Sequence, residues 1–259
     1  MEKISVTVIV LNEERNIREC LESFRWADEV IVSDSGSTDA TVEICKGYGA
    51  KIFKDEWLGF GRQKNLCAGR ATNNWILNVD ADERVTPGLK DEITRAIGSG
   101  DGAGYYIPRR NYFGQKWIRR CGWYPDYALR LYRKDAGRFL ERGVHESVVM
   151  DGTKAGSLLL GYLKNPLIHK TYRDVSDYLV RMERYSTLAA EEMMKEGKTA
   201  GVLDILLRPP FTFFKMFVLK LGFLDGVAGI TLSILYASYT LAKYAKLWEM
   251  GRGGWGSGE

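Results

Sequence analysis

Apolar and polar positions in the first hundred residues alternate between patterns typical of strands and patterns typical of helices. Between the strand-like runs, apolar residues recur at helical spacing, as at Ile17, Leu21 and Phe24. Strand, helix and strand in this order predict βαβ units and a parallel sheet with right-handed crossovers. The runs that predict buried strands are rich in β-branched and aromatic residues: Ile4–Val10, Glu29–Asp34, Ala50–Asp55 and Trp75–Asp80.

Polar residues follow the ends of these predicted strands, where parallel sheets bind their ligands. Carboxylates can accept hydrogen bonds from a base and a ribose, and they can hold Mg²⁺ or Mn²⁺ on phosphate groups. Taken singly, the residues have structural alternatives: a turn, a helix cap or a surface lysine. Together they predict a nucleotide-diphosphate site that contains Asn12, Glu13, Asp34, Lys64, Asp80 and Asp82.

The composition limits the alternatives. At 259 residues and 45% hydrophobic content, the chain can form one substantial core and an appendage. The net charge of +4 argues neither for nor against a nucleic-acid partner. Four cysteines without a CxxC pair fit reduced thiols, and we expect no signal peptide. The lack of a GxxxxGK[ST] loop, or of GxGxxG after the first strand, disfavours P-loop and dinucleotide-binding proteins.

Three segments in order resemble the signature segments of family 2 glycosyltransferases with the GT-A fold: VTVIVLNEERNI, VIVSDSGSTDAT and ILNVDADERV. The stretch from Tyr105 to Lys134, with GVHE and PLIHKTY, is similar to bacterial lipopolysaccharide-core β-glucosyltransferases of that family, and the similarity extends to about Trp248. This resemblance implies an α/β, GT-A fold with a Rossmann-like mixed sheet.

The resemblance also implies a nucleotide-sugar site. Glu13 and Asp34 would contact the uridine, with Asn12 in the same site. Lys64 would lie near the nucleotide or its pyrophosphate. A UDP-sugar donor is therefore the expected partner, and no nucleic acid is expected.

Asp80 and Asp82 match the DxD motif of the family. Asp80 would face the ribose or the metal, and Asp82 would ligate a divalent cation, Mg²⁺ or Mn²⁺, that bridges the two phosphates. Many enzymes of this fold take a further metal ligand from a histidine downstream of the base, and His169 lies where that ligand is expected. A structural role for His169 is the alternative.

An inverting transferase needs a general base that deprotonates the acceptor hydroxyl. Glu146 follows a segment that resembles the region before the acidic base of the wider family, and we favour it. Asp126 is the other candidate, and each carboxylate could instead form an ion pair with a nearby arginine. His145 could orient Glu146, contact the acceptor or be structural.

Arg109 and Arg110 begin a basic stretch that is also rich in aromatic residues. Aromatic rings and guanidinium groups can bind single-stranded RNA, but they suit sugar rings and phosphates equally well. With the family resemblance, the prediction is an anionic sugar-phosphate acceptor. A solvated run of charges is the alternative.

The last part of the chain is more apolar than an ordinary surface tail. Gly226–Ala242 contains no charged residue, although 17 residues is the lower edge for a membrane span. Arg208-Pro209-Pro210 is predicted to break the segment that precedes it. Interleaved lysines and aromatic residues favour helices that lie in or dip into an anionic leaflet. A true span, or a pair of helices that covers a core or forms an oligomer, is the alternative.

The predicted organisation is a GT-A catalytic domain over 1–172, a helical, membrane-associating region over 173–249 and a flexible tail over 250–259. The predicted function is metal-dependent, inverting transfer of glucose from UDP-glucose to a heptose hydroxyl of a lipid-linked acceptor, the lipopolysaccharide inner core. The expected location is the cytoplasmic face of the inner membrane, as a peripheral or monotopic protein. A polyprenyl-phosphate glycosyltransferase and a non-catalytic nucleotide-sugar-binding membrane scaffold are the alternatives.

Overall fold

A computed structural model of the chain describes residues 2–100, 102–141, 147–151 and 159–251. Contacts divide the chain into two compact units. The first unit comprises Met1–Arg109 and Asp126–His169, and the second comprises Arg110–Pro125 and Lys170–Glu259. The second unit therefore joins an insertion from the middle of the chain to the C-terminal stretch.

All four predicted strands are present in the first unit. They are β1 (Ile4–Val10), β2 (Glu29–Asp34), β3 (Lys51–Lys54) and β4 (Trp75–Asn78). They pair in parallel in the order β3-β2-β1-β4, and β1 and β4 are almost entirely buried. Burial on both faces explains why these strands consist of nearly continuous apolar runs.

The strands that follow turn this parallel sheet into a mixed one. After β4 the strand order continues β8-β6-β12-β5, with antiparallel pairing of β4 with β8, of β8 with β6 and of β12 with β5. These observations confirm the predicted mixed sheet. The remaining strands are β5 (Glu83–Val85), β6 (Gly102–Phe113), β7 (Lys116–Trp117), β8 (Asp126–Arg133), β9 (Gly137–Phe139), β10 (Val148–Met150), β11 (Leu159–Tyr162) and β12 (Leu167–Tyr172).

Among the helices of the first unit, α4 (Pro87–Ser99) begins and ends at residues suited to those positions. Before α4, Thr86 is the N-cap and its side chain accepts a hydrogen bond from the Leu89 amide, while Pro87 occupies the first turn. Gly100 ends the same helix in the left-handed conformation. The helices are α1 (Glu14–Ser23), α2 (Thr41–Gly47), α3 (Phe60–Gly69) and α4 (Pro87–Ser99).

The second unit is mainly helical. Its helices are α5 (Val175–Lys195), α6 (Val202–Phe214) and α7 (Val227–Gly251), and a π-helical turn and a short 3₁₀ helix lie between α6 and α7. The predicted break at Pro209 and Pro210 is wrong, because both prolines lie inside α6. A proline removes one backbone donor without ending a helix when the freed carbonyl can be solvated. Within the described residues, no helix is both long and apolar enough to cross a membrane.

Glu29, at the start of β2, is a buried carboxylate with several donors. Its side chain accepts hydrogen bonds from Ser5 Oγ at 2.5 Å, Lys51 Nζ at 2.7 Å and the Thr72 amide at 2.8 Å. Burial alone would raise the pKa of Glu29, but the hydrogen bonds from Lys51, Ser5 and Thr72 lower it to about 2. The ionised form therefore stabilises the folded chain.

We expect Glu29→Gln to lower the free energy of unfolding by roughly 2–3 kcal/mol at pH 7. The folded-state pKa is depressed, so this contribution is complete above the unfolded pKa and is lost progressively as the pH falls from about 5 to about 2. Urea unfolding at pH 7, 4 and 3 measures the difference, with the exposed Glu22→Gln as the matched control. A difference that does not change with pH would contradict the assignment.

Candidate active site

Three of the predicted nucleotide-binding residues meet where β1 and β2 end. The parallel register places Val10 opposite Asp34. Asn12 follows in the left-handed conformation, with φ of 56°, and its Oδ1 accepts a hydrogen bond from the Thr38 amide at 2.8 Å. Asn is one of the few residues with a side chain that enters this conformation readily. The amide of Asn12 in turn donates to Ser37 Oγ at 2.9 Å.

Asp34 and Glu13 complete this edge of the sheet. Asp34 is buried, and its carboxylate accepts from the Ser37 amide at 3.1 Å and from the Gly36 amide at 3.3 Å. Glu13 directly precedes α1; its amide donates to Thr41 Oγ1 at 2.7 Å. The two loops that follow β1 and β2 are thus tied together. Asn12, Glu13 and Asp34 lie at one edge, as the prediction requires.

Asp80 lies beyond the end of β4, between two buried cations. Lys64 Nζ is 2.8 Å from Asp80 Oδ1, and Arg130 Nη2 contacts Asp80 Oδ2. Lys64 is 2% exposed, so it is no solvated surface lysine. Burial alone would raise the pKa of Asp80, but the charges of Arg130 and Lys64 hold it well below its ordinary value. Asp80 is therefore ionised at neutral pH.

Arg130 joins the partly buried Asp80 to a fully buried acid, Glu83. Arg130 Nη2 is 2.8 Å from Glu83 Oε1, and Arg130 Nη1 donates to Asn78 Oδ1 at 2.9 Å. Glu83 Oε2 also accepts from the Asp80 amide at 2.9 Å. Burial alone would lower the pKa of Arg130, but Asp80 and Glu83 raise it above its ordinary value. We call Lys64, Asp80, Glu83 and Arg130 the buried ion network.

Glu83 and Arg130 are residues of this site that the sequence patterns did not predict. One signal was available, because Arg130 is a charged residue inside the apolar run of β8 and is 5% exposed. A buried arginine requires an acidic partner. Its partners lie about fifty residues earlier in the chain, and the pairing of β4 with β8 brings them together.

Asp82 and His169 form a separate pair beside this network. His169 Nε2 is 3.5 Å from Asp82 Oδ2, and the antiparallel register of β12 and β5 places His169 opposite Glu83. Burial alone would lower the pKa of His169, but the charge and hydrogen bond of Asp82 raise it above its ordinary value. The structure therefore brings together two of the three side chains predicted as metal ligands, while Asp80, the third, is paired with Lys64 and Arg130.

The chemistry of this pair fits a divalent cation. A carboxylate oxygen and an imidazole nitrogen bind such ions at about 2.0–2.2 Å, so two donor atoms 3.5 Å apart can reach one ion. Across the described part of the chain, no three His, Cys, Asp or Glu side chains are grouped to hold a metal. A cation at Asp82 and His169 would thus need further ligands from a substrate or water, as Mg²⁺ takes from substrate phosphates.

The remaining candidates are distributed as follows. Asp126 is the first residue of β8, opposite Arg109 in the β6 register, and Arg109 Nη2 is 2.7 Å from Asp126 Oδ2. Arg109 Nη1 also lies 3.6 Å from Glu83 Oε1. Arg110 belongs to the second unit, where its guanidinium lies 4.8 Å from the Trp117 ring centroid.

The favoured base, Glu146, lies outside the described residues, as does His145. Their predicted roles stay predictions.

This mixed α/β sheet, with acidic residues gathered beyond its parallel strands, is the architecture of a GT-A glycosyltransferase. The family model described as glycosyl transferase family 2 matches residues 5–149, and the chain belongs to that family. The predicted family and its fold are thereby confirmed.

Individual relatives cover most of the chain. Lipopolysaccharide core biosynthesis glycosyltransferase LpsC of Rhizobium meliloti (strain 1021) is 27% identical over 258 residues, which are 95% of this chain and 92% of LpsC. An uncharacterized glycosyltransferase of Rickettsia felis is 32% identical, over an alignment that covers 96% of this chain and 90% of the relative. The structure of S. aureus TarS 1–349 has a TM-score of 0.48 at 18% identity, with 97% and 91% of the two chains covered.

We expect Arg130→Met to lower the free energy of unfolding by about 3–5 kcal/mol, because it leaves the fully buried Glu83 and the partly buried Asp80 without their shared cation. Arg130→Lys should recover part of this loss, since an ammonium group can reach one partner but cannot reproduce the forked contact. Chemical denaturation measures both variants. The exposed Arg95→Met is the matched control. An Arg130→Met variant as stable as the control would show that the network carries no stability.

Proposed function

We propose that this family 2 glycosyltransferase transfers a sugar from a UDP-sugar to a hydroxyl group of a lipid-linked acceptor, with inversion at the anomeric carbon. The observation that carries the proposal is the Asp82–His169 pair beside the ionised Asp80, at the edge where Asn12 and Asp34 also lie. The set combines acceptors for a nucleoside with ligands for a cation on its diphosphate.

In this proposal, Asp82 and His169 hold a divalent cation, Mg²⁺ or Mn²⁺. When bound, the cation neutralises negative charge on the leaving diphosphate. Asp80 keeps its orientation through Lys64 and Arg130, and each of its oxygens retains a lone pair for a ribose hydroxyl. The buried ion network acts as the rigid support of the donor site.

The chemical step requires a carboxylate on the acceptor side. The acceptor oxygen forms a bond to the anomeric carbon, the bond from that carbon to the diphosphate oxygen breaks, and the hydroxyl proton passes to the base. We assign the base to Glu146. Asp126 is less suited, because Arg109 already holds its carboxylate at 2.7 Å.

Glucose and a heptose of the lipopolysaccharide inner core are the donor sugar and acceptor that we propose. The similarity to LpsC, which is named for lipopolysaccharide core biosynthesis, supports this choice. An acceptor that carries a lipid would place the enzyme on the cytoplasmic face of the inner membrane.

The donor and the metal are tested together. We expect release of UDP from UDP-glucose to stop with EDTA and to return with excess Mn²⁺ or Mg²⁺, and Asp82→Asn to lower kcat/KM by roughly 100-fold or more. The exposed Asp91→Asn is the control for loss of one carboxylate. A panel of UDP- and GDP-sugars, with extracted lipopolysaccharide core as acceptor, names the donor. Turnover unaffected by both EDTA and Asp82→Asn would refute the metal assignment.

The base is tested by a pair of conservative variants. We expect Glu146→Gln to lower kcat by about 10²–10⁴-fold, because general base catalysis is lost, and Asp126→Asn to have a smaller effect. Steady-state kinetics with a saturating acceptor measure both. The reverse order would move the base to Asp126. Full activity of Glu146→Gln on a polyprenyl phosphate would instead favour the lipid-phosphate alternative, in which the acceptor is already ionised.

A further inference from the structure

Helix α6 turns an apolar side outward. Leu203, Leu207 and Phe211 are spaced four residues apart, lie on one face and are 70%, 61% and 60% exposed. Phe214 continues the same stripe and is also exposed. The solvent-facing side of a helix in a soluble protein is normally polar. An apolar stripe in this position indicates a surface that contacts something other than water.

Exposed apolar side chains also occur after the helix. Leu219 and Leu224, in the turns that follow α6, are 58% and 57% exposed. We call the surface that Leu203, Leu207, Phe211 and Phe214 form on α6 the apolar face.

The inner side of α6 is already occupied within the second unit. Thr212 Oγ1 lies 3.2 Å from Thr240 Oγ1 of α7, and the Arg208 guanidinium lies 4.7 Å from the Tyr244 ring centroid. Contacts at 212 with 240 and at 208 with 244 show that α6 and α7 run antiparallel. Packing against α7 therefore accounts for the other side of α6 and leaves the apolar face uncovered by it.

The charges along the apolar face are mainly positive. From Leu203 to Leu224 they are Arg208, Lys215 and Lys220, with one acid, Asp204, whose Oδ1 lies 2.6 Å from Arg208 Nε. Lys215 and Lys220 are exposed. The next acid, Asp225, is buried and accepts hydrogen bonds from two backbone amides of the same unit. Apolar side chains with flanking lysines match the surface of an anionic bilayer.

The length of α6 decides how it would lie. Its 13 residues and the 5 of the π-helical turn that follows directly give at most about 27 Å, still shorter than the roughly 30 Å of a hydrocarbon core. We propose that the apolar face docks on an anionic lipid bilayer, with α6 in the plane of the membrane interface. The docking rests on the proposed function, because it would bring the enzyme to the membrane surface that holds a lipid-linked acceptor.

Vesicle flotation of the full chain tests the docking without reference to catalysis. Two kinds of vesicle are compared. One is pure phosphatidylcholine, and the other contains about 30% phosphatidylglycerol, which is on the order of the anionic content of a charged leaflet. We expect Leu203→Gln/Leu207→Gln/Phe211→Gln to weaken binding about tenfold or more. The control, Leu179→Gln/Val180→Gln/Met194→Gln, removes three exposed apolar side chains from α5 and should bind like wild type.

The lysines are tested separately. Lys215→Gln/Lys220→Gln should weaken binding to the anionic vesicles by roughly fivefold per lysine and leave the weaker binding to neutral vesicles unchanged. Equal loss on both kinds of vesicle would overturn the electrostatic part of the proposal.

A second copy of the chain is the competing occupant of the apolar face. Sedimentation velocity over a range of protein concentrations distinguishes it: a dimer that the α6 triple variant dissociates, with vesicle binding unchanged, overturns membrane docking. Transfer to a detergent-solubilised acceptor separates the two proposals. If the α6 triple variant no longer floats with vesicles but still transfers sugar to the solubilised acceptor, docking is supported. If the wild-type chain floats but transfers no sugar, docking is supported and the proposed function is rejected.

Discussion

The buried ion network is the constraint on which the proposed donor site depends. Lys64 and Arg130 carry two positive charges, and Asp80 and Glu83 carry two negative ones, so the network is neutral. Charges out of contact with water are tolerated when each has its partner, and removal of one leaves another uncompensated. Because the four residues come from α3, the end of β4, β5 and β8, their pairing fixes these elements against one another.

This constraint separates the two aspartates of Asp80-Ala81-Asp82. Residues two apart in an extended chain point to the same side, yet Asp80 is engaged by Lys64 and Arg130, whereas Asp82 lies beside His169. The two carboxylates that follow the buried strand β4 therefore have different partners. One is balanced inside the protein and holds the site in shape. The other has an imidazole for a neighbour and the ligand chemistry of a cation site.

The sequence predicts the parallel half of the fold well, because β1 and β4 are buried on both faces and their apolar runs are nearly continuous. It also locates Asn12, Asp34 and Asp80, since strand ends are local features. Arg130 could not be placed, because its partners depend on the antiparallel pairing of β4 with β8, which no local pattern specifies. The grouping of Arg110–Pro125 with the C-terminal helices is likewise a long-range result of packing.

The two prolines of α6 show how a local rule gives way to environment, and they limit the depth at which this helix can lie. Pro209 and Pro210 cannot donate to the carbonyls of Ile205 and Leu206, which therefore need other partners. In hydrocarbon each unsatisfied carbonyl would cost several kcal/mol, whereas water or headgroups can solvate it at the interface. A helix with an apolar outer side and two freed carbonyls is thus stable at a bilayer surface but not deep within it. The same prolines that suggest a break in the sequence are compatible with a continuous helix that lies on the membrane.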